Sequence, residues 1–412
     1  MIRFFYDAIR AMFHGSRSYW LWLLFLCGVI ALGLLSYSRQ LQTGLVVTGL
    51  SDQVSWGLYI SNFAFLVGIA AAAVLLVIPA YIFERADVKG VVLMGEGIAV
   101  AAVIMAMLFV VVDLGRPERV WHMIPLLGRF NFPLSLLAWD VVVLSGYLLL
   151  NLAIPFYILY SKYRGFEPQL RLYFPFVVLA IFWAISIHTV TAFLFSANPA
   201  RPYWHTALLG PRFIASAFVS GPALMILTFQ VVRKVSTYRV NQSVIDLLAV
   251  IMTFALQINL FFIAAELFTD FYNEGAHSAS IRYLFLGLQG YGSLTPWIWT
   301  ALCFNLTAVT ILTIHPLRKK MRTLNIACVL AVLGIWIEKG MGLVVPGFIP
   351  TPLGEIFEYT PTALEFSVSA GIWALGCLIF TLLAKFVVAV EQAQIRYHPP
   401  GLLRSRAGPG PG

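Results

Sequence analysis

The stretch WGLYISNFAFLVGIAAAAVLLVIPAYIF (56–83) contains no charged side chain. An α-helix rises 1.5 Å per residue, so about 20 apolar residues cross a hydrocarbon layer of about 30 Å. The lipid interior has no water to hydrogen-bond with backbone N–H and C=O groups, and a continuous helix pairs these groups with one another. The stretch therefore predicts a membrane-spanning helix.

Nine further apolar runs indicate that the whole chain is built in this way. Of its 412 residues, 60% are hydrophobic and 11% are charged, whereas soluble domains carry roughly 25% charged residues. We expect an all-α, polytopic membrane protein with two four-helix bundles, about 56–196 and 208–345, and a helix at each end. The ten predicted spans are 19–37, 56–83, 90–113, 134–160, 172–196, 208–232, 243–270, 294–315, 323–345 and 363–390.

The distribution of basic residues predicts the orientation of the chain. When each lysine and arginine is assigned to the membrane side nearer to it, 19 of the 27 lie on the side that holds both termini. Basic residues accumulate on the cytoplasmic side of membrane proteins. We therefore expect a cytoplasmic segment at 1–18, a retained first helix, and a cytoplasmic tail at 391–412 that is disordered at its end. The net charge of +9 is attributed to this orientation and not to nucleic-acid binding.

The residues that hold redox centres in proteins are poorly represented in this sequence. The four cysteines, at 27, 303, 328 and 377, form no CxxC pair, which disfavours iron–sulfur and zinc sites. His188 is the one histidine deep in a predicted span, whereas bis-histidine haem ligation needs two. We therefore expect no haem, iron–sulfur cluster or metal, and electrons would come from a neighbouring subunit.

Ionisable residues inside predicted spans are the first functional candidates, because burying them in lipid is costly. Asp140, Tyr147 and Asn151 share one face of the fourth span by helical spacing. They predict a proton route. Glu96, near the inner end of span three, could admit protons to it from the cytoplasm or could simply be solvated at the interface. Interhelical hydrogen bonding is the alternative for Tyr147 and Asn151.

Three further polar residues extend the predicted proton pathway. Asn259 and Glu266 share a face of the seventh span, and His188 lies beside Thr189 and Thr191 in the fifth. Histidine titrates near neutral pH, which suits proton transfer. For Glu266 and His188 a purely structural role remains the alternative.

A polar cluster is expected near the outer membrane surface. By the assigned directions, Asn62 and Asp140 lie in the outer half of the membrane, and Arg116 and His122 lie just beyond it, where Pro117 can begin a short helix. A quinone needs hydrogen-bond donors, proton exchange and an apolar exit, which this place offers. Aromatic residues, namely Trp56, Tyr59, Trp121 and Trp139, could line the pocket or form an interfacial belt.

Several motifs together resemble the NrfD/PsrC family, and the likeness covers nearly the whole chain. They are residues 55–76, DLGRPERVW (113–121), AWDVVVLSGYLLLN (138–151), SIHTVTAFLFSANPARPYWHTALLGPRF (186–213), ELFTDFY (266–272) and IEKGMGLVVPGFIPTPLGE (337–355). Within the family, the chain is most similar to the ten-helix branch of QrcD, DsrP and HmcC, with QrcD preferred.

The resemblance implies a quinone-interacting subunit without its own redox cofactor, in a bacterial inner membrane. Its partners would be a periplasmic ferredoxin-like iron–sulfur subunit, with molybdopterin-family and multihaem cytochrome c subunits. The family's pocket corresponds here to His122 and Asp140 as acid or base, with Asn62, Arg116 and Trp139 as further quinone-binding positions. Menaquinone reduction is preferred over quinol oxidation, and both would use the same residues.

Two rival functions remain open at this point. A secondary transporter would use broken helices and midplane charges, and Gly221–Pro222 could break the sixth span. A purely structural membrane anchor would tolerate neutralisation of Asp140, His188 and Glu266.

Overall fold

Ten long apolar helices make up most of the part of the chain that the structure describes. The computed structural model describes residues 1–124, 127–272 and 275–397, so the end of the predicted tail, 398–412, lies outside the described residues. Each of the ten helices is long and apolar enough to cross a membrane, and the predicted all-α architecture is confirmed. Spans one to ten are Arg17–Thr43, Leu58–Ile82, Ala86–Asp113, Leu136–Tyr163, Leu170–Ser196, Leu209–Val235, Gln242–Tyr272, Thr295–Thr313, Met321–Phe348 and Ala363–Glu391.

The connections between spans define two different ends of the helix assembly. Those at 44–57, 114–135, 197–208, 273–294 and 349–362 are long, and we call this end the long-loop face. Hydrogen bonds join its loops to one another, as from Ser280 Oγ to the Ile349 carbonyl at 2.6 Å. The connections at 83–85, 164–169, 236–241 and 314–320 are short. On this short-loop face, Lys162 Nζ lies 2.7 Å from Glu391 Oε1, which ties the ends of spans four and ten.

Span one is six residues longer at its carboxyl end than predicted. Its last turns are polar, but Gln40 is buried and donates a hydrogen bond of 2.6 Å to the Val112 carbonyl of span three. The Gln40 side-chain oxygen accepts a second bond, of 2.7 Å, from the Tyr59 hydroxyl. The helix ends at Gly44, whose φ of 85° is the left-handed conformation that glycine adopts without strain. Hydropathy alone misses this extension because the contacts that hold it are made with other spans.

Span two forms the centre of the assembly. Its most apolar window is 94% buried inside the protein, whereas that of span one is 17% buried. Gly221 of span six packs so closely against span two that an added Cβ would lie 1.9 Å from Ala72 Cβ. Span six is nevertheless continuous through Pro222. The suggested break at Gly221–Pro222 was therefore wrong. Gly221 allows close packing against span two instead. Proline is tolerated in membrane helices when neighbouring groups satisfy the backbone hydrogen bond that it removes.

Spans two and nine contain the irregular turns. Span two ends in a π-helical turn at Ile78–Ile82, and span nine has one at Trp336–Met341. Such wide turns inside helices occur frequently at functional sites. The turn in span nine carries two buried charged residues, Glu338 and Lys339, so it belongs to the candidate site.

Three of the shorter helices lie outside the spans and bear on function. The predicted helix after Pro117 is confirmed as a 3₁₀ helix, Pro117–Met123, on the long-loop face. A second helix, Ala276–Leu286, lies on the same face. The third, Ile2–Met12, precedes span one on the short-loop face, and we call it the surface helix.

Candidate functional site

Asp140 is a buried carboxyl group close to the long-loop face. It lies about one turn after the start of span four, and 2% of its surface is exposed. The Thr191 hydroxyl of span five donates a hydrogen bond of 2.9 Å to Asp140 Oδ1. Both polar groups lie inside the bundle, because the faces of spans four and five that carry them pack against each other. The arrangement provides an acid or base just beneath one membrane surface.

His188 lies one turn below Thr191 on the same helix. Its side chain is 1% exposed, and neither ring nitrogen has a hydrogen-bond partner within the described residues. Buried ring nitrogens without partners are rare in proteins. Both His188 nitrogens are thus available to a water molecule inside the bundle.

Three of the predicted quinone-binding residues lie at the surface of the long-loop face. His122 is exposed and stacks on Trp121 with ring centroids 3.8 Å apart. Arg116 is exposed and pairs with Glu118 at 3.4 Å. Trp139 is 36% exposed and donates a hydrogen bond of 2.7 Å to the Pro133 carbonyl. No hydrogen bond joins any of these three to Asp140 in the part of the chain that the structure describes.

Asn62 is buried about one turn after the start of span two. Its side-chain oxygen accepts hydrogen bonds of 3.1 and 3.0 Å from the indoles of Trp336 and Trp373. Its amide nitrogen donates to the Leu58 carbonyl at 2.9 Å. Asn62 therefore joins spans two, nine and ten, and the structure does not bring it into hydrogen-bond contact with Asp140 or His122.

Two of the aromatic residues that could line a ring pocket are committed to contacts inside the protein. Trp56 stacks on Trp204 at 5.5 Å between ring centroids. Tyr59 is fully buried and donates its hydroxyl to Gln40. Both residues thus pack beneath the long-loop face, whereas Trp121 and Trp139 lie on its surface.

Glu96, Tyr147 and Asn151 surround one small cavity. Its volume of about 10 Å³ suits one water molecule. Glu96 is buried, and its Oε2 atom has no hydrogen-bond partner among the described residues. Glu96 lies in the half of span three nearer the short-loop face, and its 3% exposure excludes a solvated side chain. The helix starts at Ala86, which places Glu96 almost three turns inside the membrane segment.

A second polar cluster lies among spans six to nine, and Glu338 is its centre. The Asn259 amide donates to Glu338 Oε1 and Oε2 at 3.1 and 3.0 Å, and the Asn305 amide donates to Oε2 at 3.0 Å. The Arg212 guanidinium approaches Glu338 Oε1 at 3.2 Å and also binds Glu266. Helical spacing places Asn259 and Glu266 on one face of span seven. Arg212 and Glu338 link these two residues in the structure. We call these five residues the Glu338 cluster.

A cavity of about 10 Å³ adjoins the Glu338 cluster and approaches the long-loop face. Arg212, Glu266 and Glu338 line it together with Tyr203 of the loop 197–208. The Tyr203 hydroxyl donates a hydrogen bond of 3.0 Å to the Gly342 carbonyl. Burial raises the pKa of Tyr203 above its ordinary value, so its hydroxyl stays protonated at neutral pH and acts as a donor.

Lys339 follows Glu338 in span nine and lies beside spans two and six. Glu338 binds residues of spans six, seven and eight. Lys339 Nζ packs against Phe213 of span six, 3.4 Å from its carbonyl oxygen and 4.1 Å from its ring centroid. An added Cβ on Gly68 of span two would lie 3.2 Å from Lys339 Nζ. The π-helical turn therefore places two consecutive charged residues next to span six, and the second of them also lies beside span two.

Sequence reasoning missed Arg212, Asn305, Glu338 and Lys339 as functional candidates. The three charged residues lie within predicted spans six and nine, where any ionisable residue is a functional candidate because of its cost in lipid. That signal was present in the sequence and applies equally to all three. Asn305 had no comparable signal, because an amide in a membrane helix is most often a hydrogen-bonding residue between helices.

Comparison with known proteins identifies the family of this chain. The model of the family described as "Polysulphide reductase, NrfD" matches residues 46–349. The chain belongs to the NrfD family. The matched region includes Asp140, His188, the Glu338 cluster and Lys339, whereas the surface helix lies outside it.

Three proteins are similar to this chain over most of their length. A selenate reductase subunit of Mesobacillus selenatarsenatis is 24% identical, over 87% of this chain and 92% of that protein. The Hdr-like menaquinol oxidoreductase integral membrane subunit of Archaeoglobus fulgidus is also 24% identical, over 92% and 96%. The menaquinone reductase integral membrane subunit of Nitratidesulfovibrio vulgaris is 23% identical, over 90% and 92%. The preference for the QrcD branch stays a prediction.

Proposed function

We propose that this NrfD-family chain is the quinone-reactive membrane subunit of a respiratory oxidoreductase complex, and that menaquinone is its substrate. The names of two similar proteins, from Archaeoglobus fulgidus and Nitratidesulfovibrio vulgaris, refer to menaquinol or menaquinone. The observation that carries the proposal in this chain is Asp140, a buried carboxyl group with one side-chain donor, about one turn beneath the long-loop face.

The chemistry at this place follows from the side chains. A quinone exchanges two electrons and two protons when its redox state changes. Asp140 would take up or deliver a proton, while Thr191 holds the carboxyl group in position. We assign His122 the second acid–base role and Arg116 and Trp139 the contacts near the membrane surface, since all three lie on the same long-loop face. We also assign Asn62 a quinone-binding role, from its position between Trp336 and Trp373.

The electrons would enter from the long-loop face. We propose a ferredoxin-like iron–sulfur subunit as the partner on this side, with molybdopterin-family and multihaem cytochrome c subunits beyond it, and we place this face in the periplasm. The similar protein from Mesobacillus selenatarsenatis is by its name one subunit of a larger selenate reductase. Both described chain ends and many basic residues lie on the short-loop face, which supports a cytoplasmic position for that face.

The buried polar residues would carry protons between the two faces. Glu96, Tyr147 and Asn151 border a cavity in the middle of the membrane segment, and Asp140 and His188 lie above it toward the long-loop face. Asn259 and Glu266 would belong to a second route through the Glu338 cluster. We propose that menaquinone reduction draws protons from the short-loop face along these residues and so moves charge across the membrane.

Replacing Glu96 by glutamine tests the proton route. In proteoliposomes, we expect the Glu96→Gln variant to lose most of its membrane-potential generation, because a glutamine side chain cannot bind and release a proton. Electron transfer measured with an uncoupler should fall less. Asn151→Leu serves as a second test of the same cavity. A membrane potential equal to that of the wild type in both variants would contradict this route.

Copurification with a quinone assay tests the function itself. We expect the chain, purified from its own membranes in mild detergent, to bring along an iron–sulfur polypeptide and bound menaquinone. The complex should reduce or oxidise a short-chain naphthoquinone. A solitary chain that is stabilised by a small solute and turns over no quinone would instead indicate a transporter.

A further inference from the structure

The surface helix, Ile2–Met12, has three different sides. Phe4 and Ala8 are buried against the protein, at 2% and 4% exposure. A second side is apolar and exposed; it consists of Ile2, Phe5, Tyr6 and Ile9, continued by Phe13. The third side carries Arg3 and Arg10, which are seven residues apart and therefore lie on the same edge of the helix. A helix with a broad apolar side and a basic edge is suited to lie in a membrane interface.

Contacts with spans four and ten fix the orientation of the surface helix. The Phe4 ring packs edge-on against Tyr163 and Phe386, with centroids 5.1 and 5.5 Å apart. The Tyr163 hydroxyl donates a hydrogen bond of 2.6 Å to Asp7 Oδ2. The rotation of the helix about its axis is thus set by the protein, and the apolar side must face outward.

The exposed apolar side continues a surface that faces lipid. Span one follows the surface helix directly, and its window is only 17% buried, with Leu21, Leu24 and Phe25 exposed. The Tyr19 hydroxyl donates a hydrogen bond of 2.5 Å to the Met12 carbonyl, which fixes the junction of the two helices. The two apolar surfaces therefore adjoin at one membrane boundary.

Positive charge collects at the edge of this surface. The guanidinium groups of Arg3 and Arg164 both lie over the Tyr397 ring, 6.0 and 4.8 Å from its centroid. Lys385 Nζ lies 5.0 Å from the ring centroid of Tyr19. The surface helix contains two arginines and one acidic residue, Asp7, so it carries a net positive charge. The edge is therefore complementary to an anionic group at the level of lipid headgroups.

We propose that the surface helix binds an anionic phospholipid, with the headgroup phosphate at Arg3, Arg10 and Arg164 and an acyl chain along Phe5 and Ile9. Three observations carry the proposal: the fixed orientation of the helix, its exposed apolar side next to span one, and the basic edge at headgroup level. The site lies outside the region matched by the family model. It is independent of the proposed quinone chemistry.

Native mass spectrometry of the purified complex tests the headgroup preference. The wild type should retain phosphatidylglycerol in preference to phosphatidylcholine when both are supplied in equal amounts. In the double variant Arg3→Gln and Arg10→Gln, we expect phosphatidylglycerol binding to weaken roughly tenfold, since each basic residue near a membrane surface contributes to anionic-lipid attraction. The matched control is Lys320→Gln with Arg322→Gln, which removes the same charge from exposed positions elsewhere on the short-loop face. Equal losses in both double variants, or no loss in the first, would overturn the proposal.

A photoreactive residue in place of Ile9 identifies the occupant of the apolar side in native membranes. Adducts with phospholipid support the proposal. Adducts with another polypeptide of the complex would show that a protein covers this side, and they would overturn it. Adduct formation does not depend on quinone turnover, so failure of the electron-transfer function would leave this measurement unaffected.

Discussion

Asp140→Asn should lower quinone turnover by about 10²–10⁴-fold, the usual contribution of a positioned acid or base. Asparagine has nearly the same size as aspartate, and its side-chain oxygen can still accept the hydrogen bond from Thr191. The variant should therefore fold and assemble with its partner subunits. Turnover of a short-chain naphthoquinone by the purified complex is the measurement, together with gel filtration to establish assembly.

Asp246→Asn is the matched control for this experiment. Asp246 lies on the short-loop face with 32% of its side-chain surface exposed, and it pairs with Lys319 at 2.6 Å. The same chemical change there should leave quinone turnover close to that of the wild type. Wild-type turnover in Asp140→Asn would exclude Asp140 as the acid or base and would favour a purely structural membrane anchor.

Glu338→Ala should destabilise the protein by about 3–5 kcal/mol, the cost of breaking a buried ion pair by removing one partner. Glu338 is 1% exposed, and it accepts hydrogen bonds from Arg212, Asn259 and Asn305. Alanine leaves three buried donors without this acceptor. The free energy of unfolding in mixed detergent micelles is the measurement.

Glu118→Ala removes a glutamate from a comparable but exposed ion pair. Arg116 and Glu118 are separated by 3.4 Å, against 3.2 Å for Arg212 and Glu338, but both side chains of the first pair are more than half exposed. Exposed pairs contribute about 0–1 kcal/mol. Glu338→Gln, which keeps the volume and one acceptor oxygen, should fall between these two variants. Equal stability of Glu118→Ala and Glu338→Ala would contradict the assigned importance of the Glu338 cluster.

Length and hydropathy were sufficient to predict the ten spans of this protein. An apolar run of the required length can form few structures in lipid other than a helix, so the number and order of helices follow from the sequence. The ends of the helices were less predictable. Span one continues through polar residues because Gln40 binds a carbonyl of span three and the hydroxyl of Tyr59, and such tertiary contacts leave no trace in hydropathy.

Helical spacing predicted which polar residues share a face but not which faces meet. The stripe of Asp140, Tyr147 and Asn151 is buried as a whole, and Glu96 joins two of its members at one cavity. The exposed position of His122 could not be derived from spacing, because a loop residue has no fixed direction relative to a helix. The amphipathic pattern of IRFFYDAIRAM (2–12) was present in the sequence, but its short length placed it below the threshold for a span.

The wide turn in span nine buries two consecutive residues of opposite charge, Glu338 and Lys339. Glu338 binds residues of spans six to eight, and Lys339 lies beside Phe213 of span six and Gly68 of span two. Coulomb interactions are strong where water is excluded. A substitution that removes the charge of either residue therefore also changes the electrostatic energy of the other.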